Sequence, residues 1–263
     1  MDSVYLSRDD APVSPALWDL LDRTMADAAK SVLAGRRLVH IEGPFGLGLK
    51  AVPLADCVVD GGLITSQAMP VSLVQTSFVV SKRDLAAYEQ DGVYFPSEPV
   101  MCAAINAATR EDEIIFNGTT GVNGLLNAEG VAGQNLGSWN TVGKAADEII
   151  QSITRLDEAG FHGPYCLALS PARYNLLLRR YPQGGTEIEH MRTIATDGVF
   201  KAPVLGSGGV ILASGREYAS IVIGQDMSIG FIGPVRETLE FSISESLALI
   251  IRQPESICAL TDK

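Results

Sequence analysis

The hydrophobic period of this 263-residue chain changes along its length, and the change excludes most fold classes. Over residues 14–33, Leu17, Trp18, Leu21, Met25, Ala28, Ala29 and Val32 recur at three- and four-residue steps, the stripe of an amphipathic helix. Ser14 suits its N-cap, Pro15 its first turn and Gly35 its stop. From Leu38 to Phe78 the pattern turns to short extended runs broken by Gly-Pro, Gly-Gly and Met-Pro. Residues 52–59 and 71–80 read as strands and 60–70 as an exposed loop, together a projecting arm. Helical spacing returns at 81–90, 97–116, 141–159, from 170 to near 181, and at 186–195. Residues 165–169 read as a buried strand, and 210–213, 219–223, 227–232 and 239–252 as a β-rich last quarter. Neither βα alternation nor an internal repeat organises this order, so the fold class is α+β.

Apolar residues make up 46% of the chain and charged ones 19%, although the longest apolar stretches, such as 247–251, are too short to span a bilayer. Part of that apolar surface is therefore expected to be buried against other copies of the chain. The net charge is −11, and the dense basic pairs are Arg36-Arg37 and Arg179-Arg180, outside any basic run. This argues against nucleic-acid binding, which needs clustered cations for phosphate. Cys57, Cys102, Cys166 and Cys258 lie far apart and read as small buried residues of a reducing compartment. The start Met1-Asp2-Ser3 has no basic or apolar leader region, and a cytoplasmic protein with no membrane partner is expected.

Motifs for catalysis fail one by one. Glu187 and His190 share a helical face, but a di-iron site needs a second Glu-x-x-His, and a solvated face is the expected role. The glycines of residues 43–48 lack the Lys-Ser or Lys-Thr of a phosphate loop, and Gly143-Lys144 is followed by alanine. Residues 206–209 lack the strand-turn-helix setting of a nucleophile elbow. Cys166, near His162, falls in a buried strand where a thiol is inert. Glu111-Asp112-Glu113 puts carboxylates in the C-terminal half of a helix, which predicts partners across an interface rather than acid–base work. Asn117-Gly118-Thr119 matches a glycosylation sequon, without meaning in a bacterial-type cytoplasm. No catalytic residue, cofactor site or metal site is expected.

Several ordered segments resemble the encapsulin shell-protein family. They are the helix containing Trp18, Gly35-Arg36-Arg37, Glu42-Gly43-Pro44-Phe45-Gly46, Asp112-Glu113-Ile114-Ile115-Phe116-Asn117-Gly118 and Gly163-Pro164-Tyr165. Ser170-Pro171-Ala172-Arg173-Tyr174, Gly224-Gln225-Asp226-Met227-Ser228-Ile229-Gly230 and Arg252-Gln253-Pro254-Glu255-Ser256-Ile257 continue the series. The resemblance implies a tailed-phage major-capsid-like fold with an N-terminal helical arm over 1–37. A peripheral domain would take 38–139 and 221–263, with an extended loop at about 50–80 and a spine helix at 97–116, and an axial domain 140–220. It further implies a homo-oligomeric icosahedral shell, a cytoplasmic nanocompartment enclosing ferritin-like, peroxidase-type or other redox cargo that carries a short targeting peptide. A phage-type major capsid protein and a cytoplasmic hydrolase or peptidase are the alternatives.

The resemblance also assigns sites. Leu21, Met25, Ala28 and Val32, with Arg36, His40 and Ile229, would form the cargo-peptide groove; several members have Asp where this chain has His40. Tyr181, Pro182, Gln183, Gly184, Gly185 and Thr186 would line the five-fold pore. Some members bind flavin through a Trp after the extended loop; the nearest residue here is Arg83, and no flavin is expected.

Overall fold

In the computed structural model, which describes residues 2–262, two 3-10 turns, Asp2–Leu6 and Arg8–Asp10, precede helix α1, Pro15–Val32. A third 3-10 turn, Gly35–Arg37, leads to strand β1, His40–Glu42. Strands β2 (Ala51–Asp60), β3 (Leu63–Pro70) and β4 (Ser72–Ser81) follow, then helices α2 (Lys82–Asp91) and α3 (Glu98–Asn117). Next come β5 (Ala132–Leu136), α4 (Lys144–Glu158), β6 (Tyr165–Leu169), α5 (Pro171–Leu176) and α6 (Glu187–Ile194). The chain ends in strands β7 (Gly198–Lys201), β8 (Gly209–Ala213), β9 (Ala219–Ile223), β10 (Ser228–Val235), β11 (Thr238–Ile251) and β12 (Ile257–Asp262). The class is α+β.

Two units share this chain. The first comprises Met1–Val32, Gly43–Glu111 and Val222–Ala248. In it β11 pairs antiparallel with both β10 and β4, setting Phe241 opposite Phe231 and Phe78. Phe78 stacks on Phe241 at 5.3 Å, Phe231 lies 5.5 Å away, and Trp18 of α1 meets Phe241 edge-on at 5.6 Å. Leu17, Leu21, Met25 and Ala28 are buried beside this aromatic row, so the α1 stripe closes the unit's own interior. Each such large side chain contributes about 1.5–3 kcal/mol by leaving water.

The expected loop at 60–70 is a strand instead. β3 pairs antiparallel with β2, with Asp60 opposite Leu63 across a two-residue turn at Gly61-Gly62. Both glycines have positive φ, 51° and 86°, which suits the right-handed twist of a hairpin. The strand period is invisible in the sequence because neither face of the hairpin is covered: Val58, Leu63 and Ile64 stay 74%, 62% and 61% exposed. Ser81 caps α2, accepting from the backbone N–H of Arg83.

The second unit comprises Leu33–Glu42, Asp112–Ile221 and Leu249–Lys263. Its mixed sheet has the order β5-β12-β8-β6-β7, with β5 and β7 parallel to their neighbours. Trp139, Ile149, Leu156, Leu167, Leu169 and Met191 fill its core. β5, β7 and β12 escape sequence pattern because they are short and the first two are glycine-bearing. The helix begun at Ser170-Pro171 stops at Leu176, short of Tyr181, because the chain turns to meet α6: Glu187 N–H donates to the Arg179 carbonyl and Ile188 N–H to that of Leu177. Cys166 and Cys258 are buried as expected, but Cys57 is half-buried and Cys102 is exposed on α3. Those two fall on elements with an open face, which their residue type does not reveal.

Candidate functional site

Of the residues assigned to peptide docking, Leu21, Met25, Ala28 and Ile229 are interior and Val32 is half-buried, all in the first unit. Arg36, half-buried, and His40, exposed, belong to the second unit. Arg36 sits in the 3-10 turn after α1, whose geometry depends on Asp112. That carboxylate, 2% exposed, accepts from the backbone N–H groups of Ala34 and Gly35, both at 2.9 Å. A Cβ on Gly35 would stand 2.6 Å from Ile115 Cδ1 and 3.0 Å from Asp112 Oδ1, so a larger residue would have to displace these side chains. The acidic run 111–113 therefore finds partners for Asp112 inside the chain, correcting the expectation of an interface. The donors lie 77 and 78 positions away, beyond the reach of local pattern.

β1 brings His40 beside a charged group. Glu42 accepts from Arg216 Nη2 and Arg252 Nη2, each at 3.0 Å. Burial alone would raise its pKa, but hydrogen bonds from Ser220, Arg216 and Arg252 outweigh burial and hold the carboxyl below its ordinary value. A cavity of about 280 Å³ lies alongside, lined in part by Arg37, His40, Asp197 and Arg216. Cys166 Sγ points at the Arg37 carbonyl at 3.6 Å, and burial pushes this thiol up to about 12. It is no nucleophile near neutral pH.

The turn from Tyr181 to Thr186 exposes Pro182, Gln183, Gly184 and Gly185, with Tyr181 and Thr186 half-buried at its ends. Gly184 and Gly185 have φ of 103° and 76°. Tyr181 Oη lies 2.9 Å from His190 Nδ1, and the phenol is raised by burial and by the nearby Glu187 and Asp147 carboxylates. Thr186 closes a capping box with Glu189 at the start of α6. Glu187 is not on a solvated face: it is 1% exposed, pairs with Arg179 at 2.9 Å, and accepts from the Gly143 N–H at 2.7 Å. It ties this turn to the start of α4, while His190 alone of the Glu-x-x-His pair faces solvent.

Within the N-terminal arm expected as helical over 1–37, residues 2–10 form two 3-10 turns instead. Residues 2–10 pack against β10 at Gly230, and Arg8 pairs with Asp22 while lying 4.0 Å over the Trp18 ring. Their Leu-x-Arg and Trp are too far apart in sequence, and in no regular period, to give a signal. Among the described residues no helix is long and apolar enough to cross a membrane, and no cluster of three or more His, Cys, Asp or Glu is placed to hold a metal.

The fold is tailed-phage major-capsid-like. A virus-like particle from Pyrococcus furiosus superposes with a TM-score of 0.73 at 21% identity, covering 93% of this chain and 99% of that one. The capsid of Myoviridae phage XM1 gives 0.61 at 16% identity, covering 86% and 90%. Residues 1–248 match the model of a family described as the encapsulating protein for peroxidase. A type 1 encapsulin shell protein of Myxococcus xanthus (strain DK1622) is 31% identical, over 97% of this chain and 96% of its own. The chain belongs to this family of encapsulin shell proteins.

Proposed function

We propose that copies of this chain close into a cytoplasmic icosahedral shell of about sixty or more subunits. The shell holds a peroxidase-type or ferritin-like cargo by a short targeting peptide, and itself carries no catalytic group or cofactor. The family match through residue 248 is the observation that carries this reading. The uncovered hairpin of β2 and β3 supports it, since large apolar residues left in solvent mark surfaces that meet a partner. The proposed docking residues are Val32, partly exposed on the first unit, and Arg36 and His40 on the second, while Leu21, Met25, Ala28 and Ile229 are interior to the first. The 181–186 turn, with two glycines at its most exposed point, would line the pore. Electron microscopy and native mass spectrometry of the purified protein should show uniform closed particles; monomers or dimers alone would sink the reading. Cargo docking is tested apart from assembly by Arg36→Glu with His40→Glu, which should give intact but empty shells.

A further inference from the structure

Residues 2–10 form a strap of two 3-10 turns joined at Ser7, whose φ of 48° puts a non-glycine residue in the left-handed region. It lies against β10, which ends its sheet's strand order. A Cβ added at Gly230 would stand 2.9 Å from Ser242 Oγ on the paired strand β11, 3.0 Å from the Leu6 carbonyl oxygen and 3.3 Å from Leu6 Cδ2. A glycine inside a strand is the mark of a place where another backbone comes close. The second anchor is Arg8, with Nη2 2.6 Å from Asp22 Oδ2 and its guanidinium on the Trp18 ring.

Neither anchor holds firmly. The Arg8 and Asp22 side chains are 24% and 39% exposed, so their attraction is screened by water. Turns of five and three residues gain nothing from helix propagation. Val4 and Tyr5 are 78% and 75% exposed, leaving the strap's own apolar side chains largely in solvent. Beneath its second half stays an open cleft of about 510 Å³, walled by Arg8, Ala11, Val13, Pro15 and Trp18. Segments with so little buried surface open at low cost.

We propose that the strap is the resident occupant of a peptide-binding strip on β10 and α1. A peptide with an aliphatic side chain in Leu6's place and a cation two residues on, in Arg8's place, displaces it. Gly230 leaves room for the incoming backbone, the outer strand suits an extended segment, and Asp22 with Trp18 seats the cation. The cleft receives the residues that follow. This rests on the reading that the shell docks cargo by a peptide, and adds what that peptide must displace.

The probe is a fluorescein-labelled peptide with the sequence of residues 4–10, present while dissociated shells reassemble so that it reaches the enclosed face. A tethered strap competes at a high effective concentration, so shells lacking residues 2–9 should bind the probe about tenfold more tightly than intact shells, or better. Asp22→Lys in those shells should remove the gain. Arg8→Ala in the full chain should fall between the two, and decides alone should the shortened chain fail to assemble. Equal binding by intact and unstrapped shells, or binding by neither, overturns the proposal. If the probe behaves as expected but co-expressed cargo is not retained, the strap stands and the cargo reading falls.

Discussion

Asp112 shows how much of this fold hangs on single side chains that no local pattern identifies. Its carboxylate satisfies the Ala34 and Gly35 N–H groups in a buried place. Asp112→Ala should lower stability by about 2–4 kcal/mol, since buried donors lose their partners, and the midpoint of chemical denaturation should fall accordingly. Glu42 has a milder, pH-dependent role. Its carboxyl titrates below the ordinary 4.5, so the stability it adds is present above that value and lost as acidification passes through the lower, folded-state value. Melting temperatures followed downward from pH 4.5 should therefore fall less steeply in Glu42→Gln than in the unaltered chain. The sequence does show residues whose neighbours are close in sequence, such as the α1 stripe. It conceals those whose partners arrive from afar, such as Glu187 with the Gly143 N–H 44 positions back.

At the scale of elements, legibility follows burial. α1, α3, α6, β6 and β9 lie within a residue or two of their expected bounds, because each has one covered face or is covered throughout and so imposes a clear period. The β2–β3 hairpin is covered on neither face, and its second strand reads as loop. Such a hairpin depends more on its turn than on packing. Gly61→Val with Gly62→Val places β-branched residues at φ of 51° and 86°, where L side chains are strained. Neither glycine has an atom within 4 Å of its Cβ position, so a steric clash is not the cause of any effect. Hydrogen exchange should speed up across 56–66 in the dissociated subunit, while β6 and β8 keep their protection. Loss of protection throughout would mean that the hairpin supports its unit rather than extending from it.

For the whole molecule, shell closure must overcome like charge, since every copy carries a formal −11. Against this stands uncovered apolar surface, with Val58, Leu63, Ile64 and Tyr94 each more than 60% exposed. If apolar burial drives assembly and net charge opposes it, salt should help, because the screening length falls from about 30 Å at 0.01 M to about 8 Å at 0.15 M. If ion pairs between copies drive assembly, the same salt should weaken it. The chain's composition favours the first outcome: 31 acidic against 20 basic residues leave few cations to pair across an interface, and several of those, including Arg8, Arg173, Arg179, Arg216 and Arg252, already meet acids within the chain. Shells dissociated at low ionic strength and returned to neutral buffer should therefore reassemble faster, and at lower protein concentration, in about 0.15 M than in about 0.01 M sodium chloride when followed by light scattering. Val58→Asp with Ile64→Asp should raise the concentration needed at either salt, because it adds charge and removes apolar area on the same hairpin. Slower reassembly in the higher salt would assign closure to ion pairs and leave the exposed hairpin without that role.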